Sequence, residues 1–169
     1  MTDQPRSETP SITIRAAAPG DAAPLGRLGA LLVTLHHDYD ASRFIAPGPG
    51  TAASYRGFLV SQLRNKEAIV LVAEEAGAVV GYVYAGLEGA DWMALRGPAG
   101  AVYDLIVDPE HRGRGVGRQL LGRILEALAA RGAPRVVLST AAPNEAAQRL
   151  FASAGFRPTM VEMTMDWPQ

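Results

Sequence analysis

The stretch from residue 101 to residue 128 constrains this chain more than any other. Residues 101–107 form a short run rich in β-branched and aromatic side chains that stops at Asp108-Pro109, which predicts a buried strand and a turn. A glycine-rich loop follows, and the apolar residues after it recur at helical spacing. The stretch therefore predicts a strand, a turn, a glycine-rich loop and a helix, in that order.

The loop has the features of a phosphate or pyrophosphate site. Gly113, Gly115 and Gly117 lie where the helix begins, and a helix N-terminus has unpaired N–H groups and a positive dipole end. Because glycine has no Cβ, an anion can come close to those N–H groups. Positive side chains at the same place are Arg112, Arg114 and Arg118.

Two common phosphate motifs do not fit this loop. A nucleotide P-loop needs Lys and then Ser or Thr after its glycines, whereas Gly117 is followed by Arg118-Gln119. A dinucleotide fingerprint needs Gly-x-Gly-x-x-Gly directly after a strand, and that spacing is absent. The remaining pattern, Arg112-x-x-Gly115-x-Gly117, resembles the acetyl-CoA loop of the GNAT superfamily of N-acetyltransferases. Taken alone, the loop is also compatible with a solvated turn before a helix.

Length and composition exclude several classes of protein. With 169 residues, 48% of them apolar and 20% charged, the chain is expected to form one domain at 11–169 behind a disordered tail at 1–10. A net charge of −1 gives no general attraction to nucleic acid or to a membrane surface. The absence of cysteine excludes thiolate catalysis and fits a cytoplasmic location. No apolar run approaches membrane-spanning length.

Apolar runs and turn residues predict the other elements. They are a strand at 12–15, a helix capped by Asp21, a helix capped by Thr51, a hairpin of strands at 68–74 and 78–87, a strand at 135–141, a helix from Asn144 to Gly155, and one or two strands within 156–167. The buried face of the helix capped by Thr51 is expected to include Tyr55, Phe58, Leu59 and Leu63. The central strand, its helix and the next strand form a right-handed crossover unit with parallel strands. The fold class is therefore mixed α/β. From Ile12 onward the order resembles the GNAT fold, which implies a mostly antiparallel, centrally parallel and splayed sheet flanked by helices.

A second motif strengthens the resemblance. The segment Asn144-Glu-Ala-Ala147-x-x-Leu150-Phe151-x-x-x-Gly155-Phe156 is similar to a family helix with an Asn and, four residues before Gly-Phe, a Tyr. In the family the Asn helps to hold the pantetheine arm, and the Tyr often protonates the leaving thiolate. Phenylalanine has no such proton. Either another group or water replaces the tyrosine, or the protein binds acetyl-CoA and transfers poorly or not at all.

The resemblance also implies how acetyl-CoA is held, without a metal. The backbone N–H of Leu105 polarises the thioester carbonyl, and pantetheine runs along the central strand where the next strand splays away, assisted by a bulge. The expected coenzyme contacts are Leu105, Ile106, Val107, Arg112, Gly113, Arg114, Gly115, Val116, Gly117, Arg118, Asn144 and Phe151.

Candidates for the proton of the acceptor amine lie on the same strand. Asp104 is unusual in a buried strand, because burying a carboxylate is costly without partners. It either serves the reaction or accepts backbone N–H groups. Tyr103 is either a core aromatic or a catalytic phenol that replaces the missing acid. By resemblance, the acceptor site also includes His36 and Tyr39, for which a solvated helix end is the alternative. Adjacent histidines do not have the i, i+4 spacing of helical metal ligands.

These patterns favour an acetyl-CoA-dependent N-acetyltransferase that acts on a primary amine of a small molecule or peptide. The family resemblance also allows a homodimer. A non-catalytic acyl-CoA binding or sensing module is the first alternative, supported by Phe151. A structural domain, or one that binds another phosphate ligand, is the second. Tyr82, Tyr84 and Trp92 are expected either to fill the core or to line the pocket.

Overall fold

The structure is a computed structural model that describes residues 11–167. Its elements are β1 (Thr13–Ala16), α1 (Ala22–Tyr39), α2 (Thr51–Gln62), β2 (Ala68–Glu75), β3 (Ala78–Glu88), β4 (Ala99–Val107), α3 (Val116–Ala130), β5 (Val136–Leu138) and α4 (Glu145–Ser153). The predicted disordered tail at 1–10 lies outside the described residues. Among the helices that are described, none has the length and apolar character needed to cross a membrane.

The strands form one five-stranded sheet in the order β1-β2-β3-β4-β5. Neighbours pair antiparallel except β4 and β5, which are parallel and joined by the α3 crossover. The β2–β3 hairpin turns at Ala76-Gly77, where both residues have positive φ, as a two-residue type I′ turn requires. The predicted mixed α/β fold, with its hairpin and its parallel pair, is therefore confirmed, although that pair lies at an edge of the five-stranded sheet rather than at its centre.

Helices cover both faces of the sheet. Helices α1 and α2 pack on one face against a cluster that includes Tyr82 and Ile106. Helix α3 packs on the other face, where its predicted apolar stripe is buried, and Phe151 of α4 joins that cluster. The sheet is thus covered on both faces where β3 and β4 meet, and the packed helices fix the positions of the buried side chains there.

Some predicted elements differ from the structure. Residues 156–167 form no strand, although Val161, Met163, Met165 and Trp167 alternate with polar residues; these side chains are exposed, so no packing stabilises a strand there. Strand β5 is shorter than predicted. Asp21 precedes α1, but its side chain pairs with Arg15 instead of capping the helix, and Thr51 is the first residue of α2 rather than its cap.

Candidate active site

Strand β4 has one open edge. It pairs with β5 only from Gly100 to Val102, yet it continues to Val107. In the described part of the chain, residues 103–107 therefore have β3 on one side and no strand on the other. This is the predicted splay, and such an edge can bind an extended ligand through backbone hydrogen bonds.

A β-bulge lies at the start of this open edge. Tyr84 pairs with Asp104 and Ala85 pairs with Val102, so Tyr103 is an extra residue in β4. Alternation along a regular strand would place consecutive side chains on opposite faces. The bulge instead places Tyr103 and Asp104 together on the face that α1 and α2 cover.

Asp104 is a buried carboxylate, 9% exposed, held by tyrosine hydroxyls. Tyr55 and Tyr82 both donate to its Oδ2 atom, at 2.9 and 3.0 Å. Burial raises the pKa of Asp104, while the two hydroxyls and nearby His36 oppose that rise. Within the described residues, Oδ1 accepts no hydrogen bond and remains available to another donor. The alternative that Asp104 accepts backbone N–H groups is wrong.

Tyr55 is the site residue that sequence reasoning missed, because its position on α2 predicts only a core contact. Its ring fits against α1 at Gly29, where any Cβ would overlap it. Gly26 likewise lets α2 approach, since a Cβ there would lie 2.6 Å from the Ala52 carbonyl oxygen. Glycine weakens a helix by about 0.5–1 kcal/mol relative to alanine. Two glycines on one helix face are thus a signal of close helix contact.

Tyr103 lies at the surface, 44% exposed, rather than in the core. Its hydroxyl donates to Glu88 Oε1 at 2.7 Å, and Glu88 also pairs with Arg96. Burial and Glu88 raise the pKa of Tyr103, so the phenol keeps its proton at neutral pH.

Phe151 packs against Phe156, 6.0 Å between ring centroids, in the cluster on the opposite face of the sheet. The structure therefore does not bring Tyr103 and Phe151 together.

The two predicted acceptor residues on α1, His36 and Tyr39, differ in their relation to Asp104. His36 is near enough to Asp104 to lower its pKa, and His36 Nδ1 lies 2.9 Å from the Leu32 carbonyl oxygen. Tyr39 meets the His36 ring edge-on at 6.3 Å. Tyr39 has no hydrogen bond to Asp104. Of these two residues, His36 is therefore the one that acts on the Asp104 carboxylate.

The glycine-rich loop presents free N–H groups. Gly113 and Gly115 have φ values of +73° and +81°, which non-glycine residues rarely adopt. None of the backbone N–H groups of residues 113–118 donates a hydrogen bond to another described residue. The side chain of Val116 is buried, so only its backbone faces the loop. These N–H groups lie at the start of α3, where the sequence predicts an anion site, and they are free to donate to a ligand.

The arginines of the loop differ in their roles. Arg114 forms a two-bond ion pair with Glu75 of β2, so its charge is already compensated. Arg112 Nε donates to the Val107 carbonyl oxygen at 3.0 Å and ties the loop to the end of β4. Arg118 has no hydrogen-bond partner among the described residues and lines a groove between α3 and α4. The expectation that all of them supply positive charge is wrong for Arg114.

Asn144 caps α4 through one atom only. Its Oδ1 accepts from the Ala147 N–H at 3.1 Å. Its Nδ2 donates to no residue that the structure describes, and so remains able to bind another group.

The geometry thus combines an open strand edge, a loop of free N–H groups at one end of it and a buried carboxylate at the other. These features would suit an extended anionic ligand lying along β4.

Comparison with known proteins identifies the family. The family model described as "Acetyltransferase (GNAT) family" matches residues 33–156, and the chain belongs to this family. A mycothiol acetyltransferase of Thermobispora bispora is 44% identical over 96 residues, which are 54% of this chain and 31% of that protein. The chain spans 31%, 58% and 54% of the length of three curated acetyltransferases that it matches.

Solved structures share the fold. A mutant of the BH1408 protein of Bacillus halodurans superposes with a TM-score of 0.75 at 23% identity, over 93% of this chain and 99% of that one. A predicted acetyltransferase of Clostridium acetobutylicum, solved with acetyl-CoA, has a TM-score of 0.70 at 15% identity, over 92% and 96% of the two chains. At these identities the likeness establishes the fold alone.

Proposed function

We propose that this protein transfers an acetyl group from acetyl-CoA to a primary amine of a small molecule or peptide. The observation that carries the proposal is the open edge of β4, which joins the free N–H groups of residues 113–118 to the carboxylate of Asp104. Family membership, and a structural neighbour solved with acetyl-CoA, support acetyl-CoA as the donor.

In this proposal the loop binds the pyrophosphate of acetyl-CoA and β4 binds its pantetheine arm. The N–H groups of residues 113–118 meet the pyrophosphate, with Arg118 as the uncompensated side chain nearby. The backbone of residues 105–107 pairs with pantetheine, and Asn144 Nδ2 donates to the same arm. Leu105 N–H would then polarise the thioester carbonyl, where negative charge develops during transfer.

The reaction joins the amine nitrogen to the acetyl carbon and breaks the bond from that carbon to sulfur. Only a neutral amine is nucleophilic, so an ammonium must first lose a proton. Asp104 Oδ1, which lacks a hydrogen-bond partner among the described residues, is the proposed acceptor of that proton. His36 and Tyr39 are proposed to contact the acceptor. The coenzyme leaves as a thiolate, and the proton that the nitrogen loses as the amide forms reaches this thiolate through water.

A binding module without catalysis is the second candidate. Phe151 supports it, because its ring is buried among apolar side chains and offers no proton to the thiolate. If this missing proton limits the rate, Phe151→Tyr should raise turnover, up to about the 10²-fold low end of general acid catalysis, with acetyl-CoA affinity unchanged. Lower turnover in a folded Phe151→Tyr variant would show that the missing acid is not limiting.

The proposal is tested by ligand binding and then by product formation. Acetyl-CoA, CoA, ATP and NAD are compared in thermal-shift experiments, where a ligand at 100 times its Kd stabilises by about 2.7 kcal/mol. Only the two coenzyme A species should raise the Tm strongly. CoA release is then measured with a panel of primary amines. Amine-dependent release supports transfer, whereas binding without release from any amine supports the binding module.

A further inference from the structure

A row of aromatic rings, which the proposed reaction does not use, extends from Asp104 between α2 and the sheet: two rings belong to α2 and two to β3 and β4. Tyr55 meets Phe58 at 6.0 Å, and Phe58 meets Tyr84 at 5.6 Å, both edge-on. Tyr84 then packs against Tyr103 at 4.8 Å. Contacts of this kind hold rings in fixed positions relative to one another. The row therefore presents a preformed aromatic surface beside the carboxylate.

The row belongs only in part to the core: Tyr84 and Tyr55 pack in the cluster under α1 and α2, whereas the other two rings are exposed. Phe58 is 45% exposed and Tyr103 is 44% exposed, while Tyr84 is buried. Helical spacing predicts that Phe58 faces the core, and the structure places it at the surface instead. An exposed aromatic ring that packs on a second ring, next to a candidate catalytic carboxylate, is available to contact a bound molecule.

Charges along the row are unevenly distributed. At one end, Asp104 accepts hydrogen bonds from neutral hydroxyls and forms no ion pair among the described residues. At the other end, Glu88 pairs with Arg96, and Arg96 also lies 3.8 Å from Asp91. A single cation is thus attracted to the Asp104 end. A second cation reaching toward Glu88 would meet the guanidinium of Arg96.

The loop beyond Arg96 extends the apolar surface. Asp91 and Arg96 exchange backbone hydrogen bonds at 2.8 and 2.9 Å and close a turn whose large side chains are exposed. These exposed side chains are Trp92, Met93 and Leu95. Arg96 connects this turn to the aromatic row through Glu88 and the Tyr103 hydroxyl. Exposed apolar side chains therefore lie in the same turn as Asp91 and Arg96, at the far end of the row.

We infer that the acceptor is a monoamine with an aromatic or bulky apolar body, whose ammonium group lies at Asp104 and whose body packs on Phe58 and Tyr103. This inference rests on the proposed acetyl transfer and specifies its substrate class. Polyamines and other polycationic acceptors are disfavoured, because the guanidinium of Arg96, which pairs with Glu88 and lies near Asp91, would repel a second ammonium group at the far end of the row. Phe58 is then a specificity-determining residue.

Matched amines test the inference through kcat/KM for CoA release. The series is 2-phenylethylamine, n-pentylamine and 1,4-diaminobutane; the last two have the same number of heavy atoms and differ in one added charge. We expect 2-phenylethylamine to be used best and 1,4-diaminobutane at least tenfold less well than n-pentylamine. Phe58→Ala should lower kcat/KM for 2-phenylethylamine at least tenfold and for n-pentylamine much less. Phe58→Leu should recover the apolar part of that loss.

Two further variants separate the causes. Met165→Ala removes an exposed apolar side chain from the C-terminal segment, and it should leave all three rates unchanged. Arg96→Gln frees Glu88, so the ratio of 1,4-diaminobutane to n-pentylamine should rise at least fivefold. Amine-dependent turnover that prefers the diamine, or an equal effect of Phe58→Ala on every amine, would overturn this inference while the proposed transfer stands. Acetyl-CoA binding without release from any amine would overturn the transfer itself.

Discussion

Replacing Gly117 by alanine should separate folding from acetyl-CoA binding. Gly117 is the second residue of α3, and a Cβ there would meet Leu150 Cδ2 at 3.5 Å, an ordinary van der Waals contact. Because alanine favours a helix over glycine by up to about 1 kcal/mol, the variant should be at least as stable as the wild type. The same methyl group would lie between Leu150 of α4 and the side chains of Leu105 and Val107 on β4, where the proposed coenzyme passes from the loop to the open edge. Acetyl-CoA affinity should therefore fall at least tenfold, or about 1.4 kcal/mol.

Two companion variants make the result interpretable. Gly115→Ala should lose about 1–2 kcal/mol of stability, because its φ of +81° is strained for any residue with a Cβ. Gly122→Ala, on the exposed side of the same helix with open space around it, should gain stability and bind acetyl-CoA normally. Urea denaturation measures the stabilities and isothermal calorimetry the affinities. A folded Gly117→Ala protein that binds acetyl-CoA as tightly as Gly122→Ala would refute the assigned pyrophosphate site.

Three other changes test the rest of the site and its frame. Asp104→Asn should lower kcat about 10²-fold or more with little change in acetyl-CoA affinity. In the wild type, kcat should decrease at low pH with a midpoint above the ordinary 3.8, because burial raises the pKa of Asp104, and this decrease should disappear in the variant. Full turnover of Asp104→Asn would contradict the role of Asp104. Gly29→Ala should reduce both stability and kcat, despite better helix propensity, because its Cβ displaces Tyr55; a more stable variant would contradict this packing. The pKa of Asp21 is lowered, chiefly by hydrogen bonds from Arg15, so its stabilisation is present above pH 3.8 and is lost as the pH falls through the lowered folded-state pKa. Denaturation at pH 7 and pH 3 should show a smaller loss in Asp21→Asn than in the wild type, and equal losses would contradict the pair's contribution.

Local patterns in the sequence predict the central part of this fold well. The strand, loop and helix from 101 to 128 each have their own signal: β-branched residues, glycines, or apolar residues at helical spacing. The hairpin and α4 are predictable for the same reason. The C-terminal strands are not, because the alternation of Val161, Met163 and Met165 indicates a strand only if a partner strand covers it.

The site is less predictable, because its contacts join residues far apart in the chain. Tyr55 and Tyr82 reach Asp104 from α2 and β3, and no spacing within either element indicates this meeting. The sequence predicts Arg114 as a positive side chain of the glycine-rich loop, yet Glu75, 39 residues away, compensates its charge. The bulge at Tyr103 likewise depends on the register with β3 and has no local sign.

The most direct test of the account is where acetyl-CoA lies on the protein. Amide resonances of the ¹⁵N-labelled protein are followed by NMR during titration with acetyl-CoA and, in parallel, with CoA. The account predicts shifts at residues 105–107 and 113–118 with both ligands, and a difference between the two ligands centred on residues 103–105, beside the acetyl group. Shifts that leave residues 113–118 unchanged, or a difference far from Asp104, would contradict it.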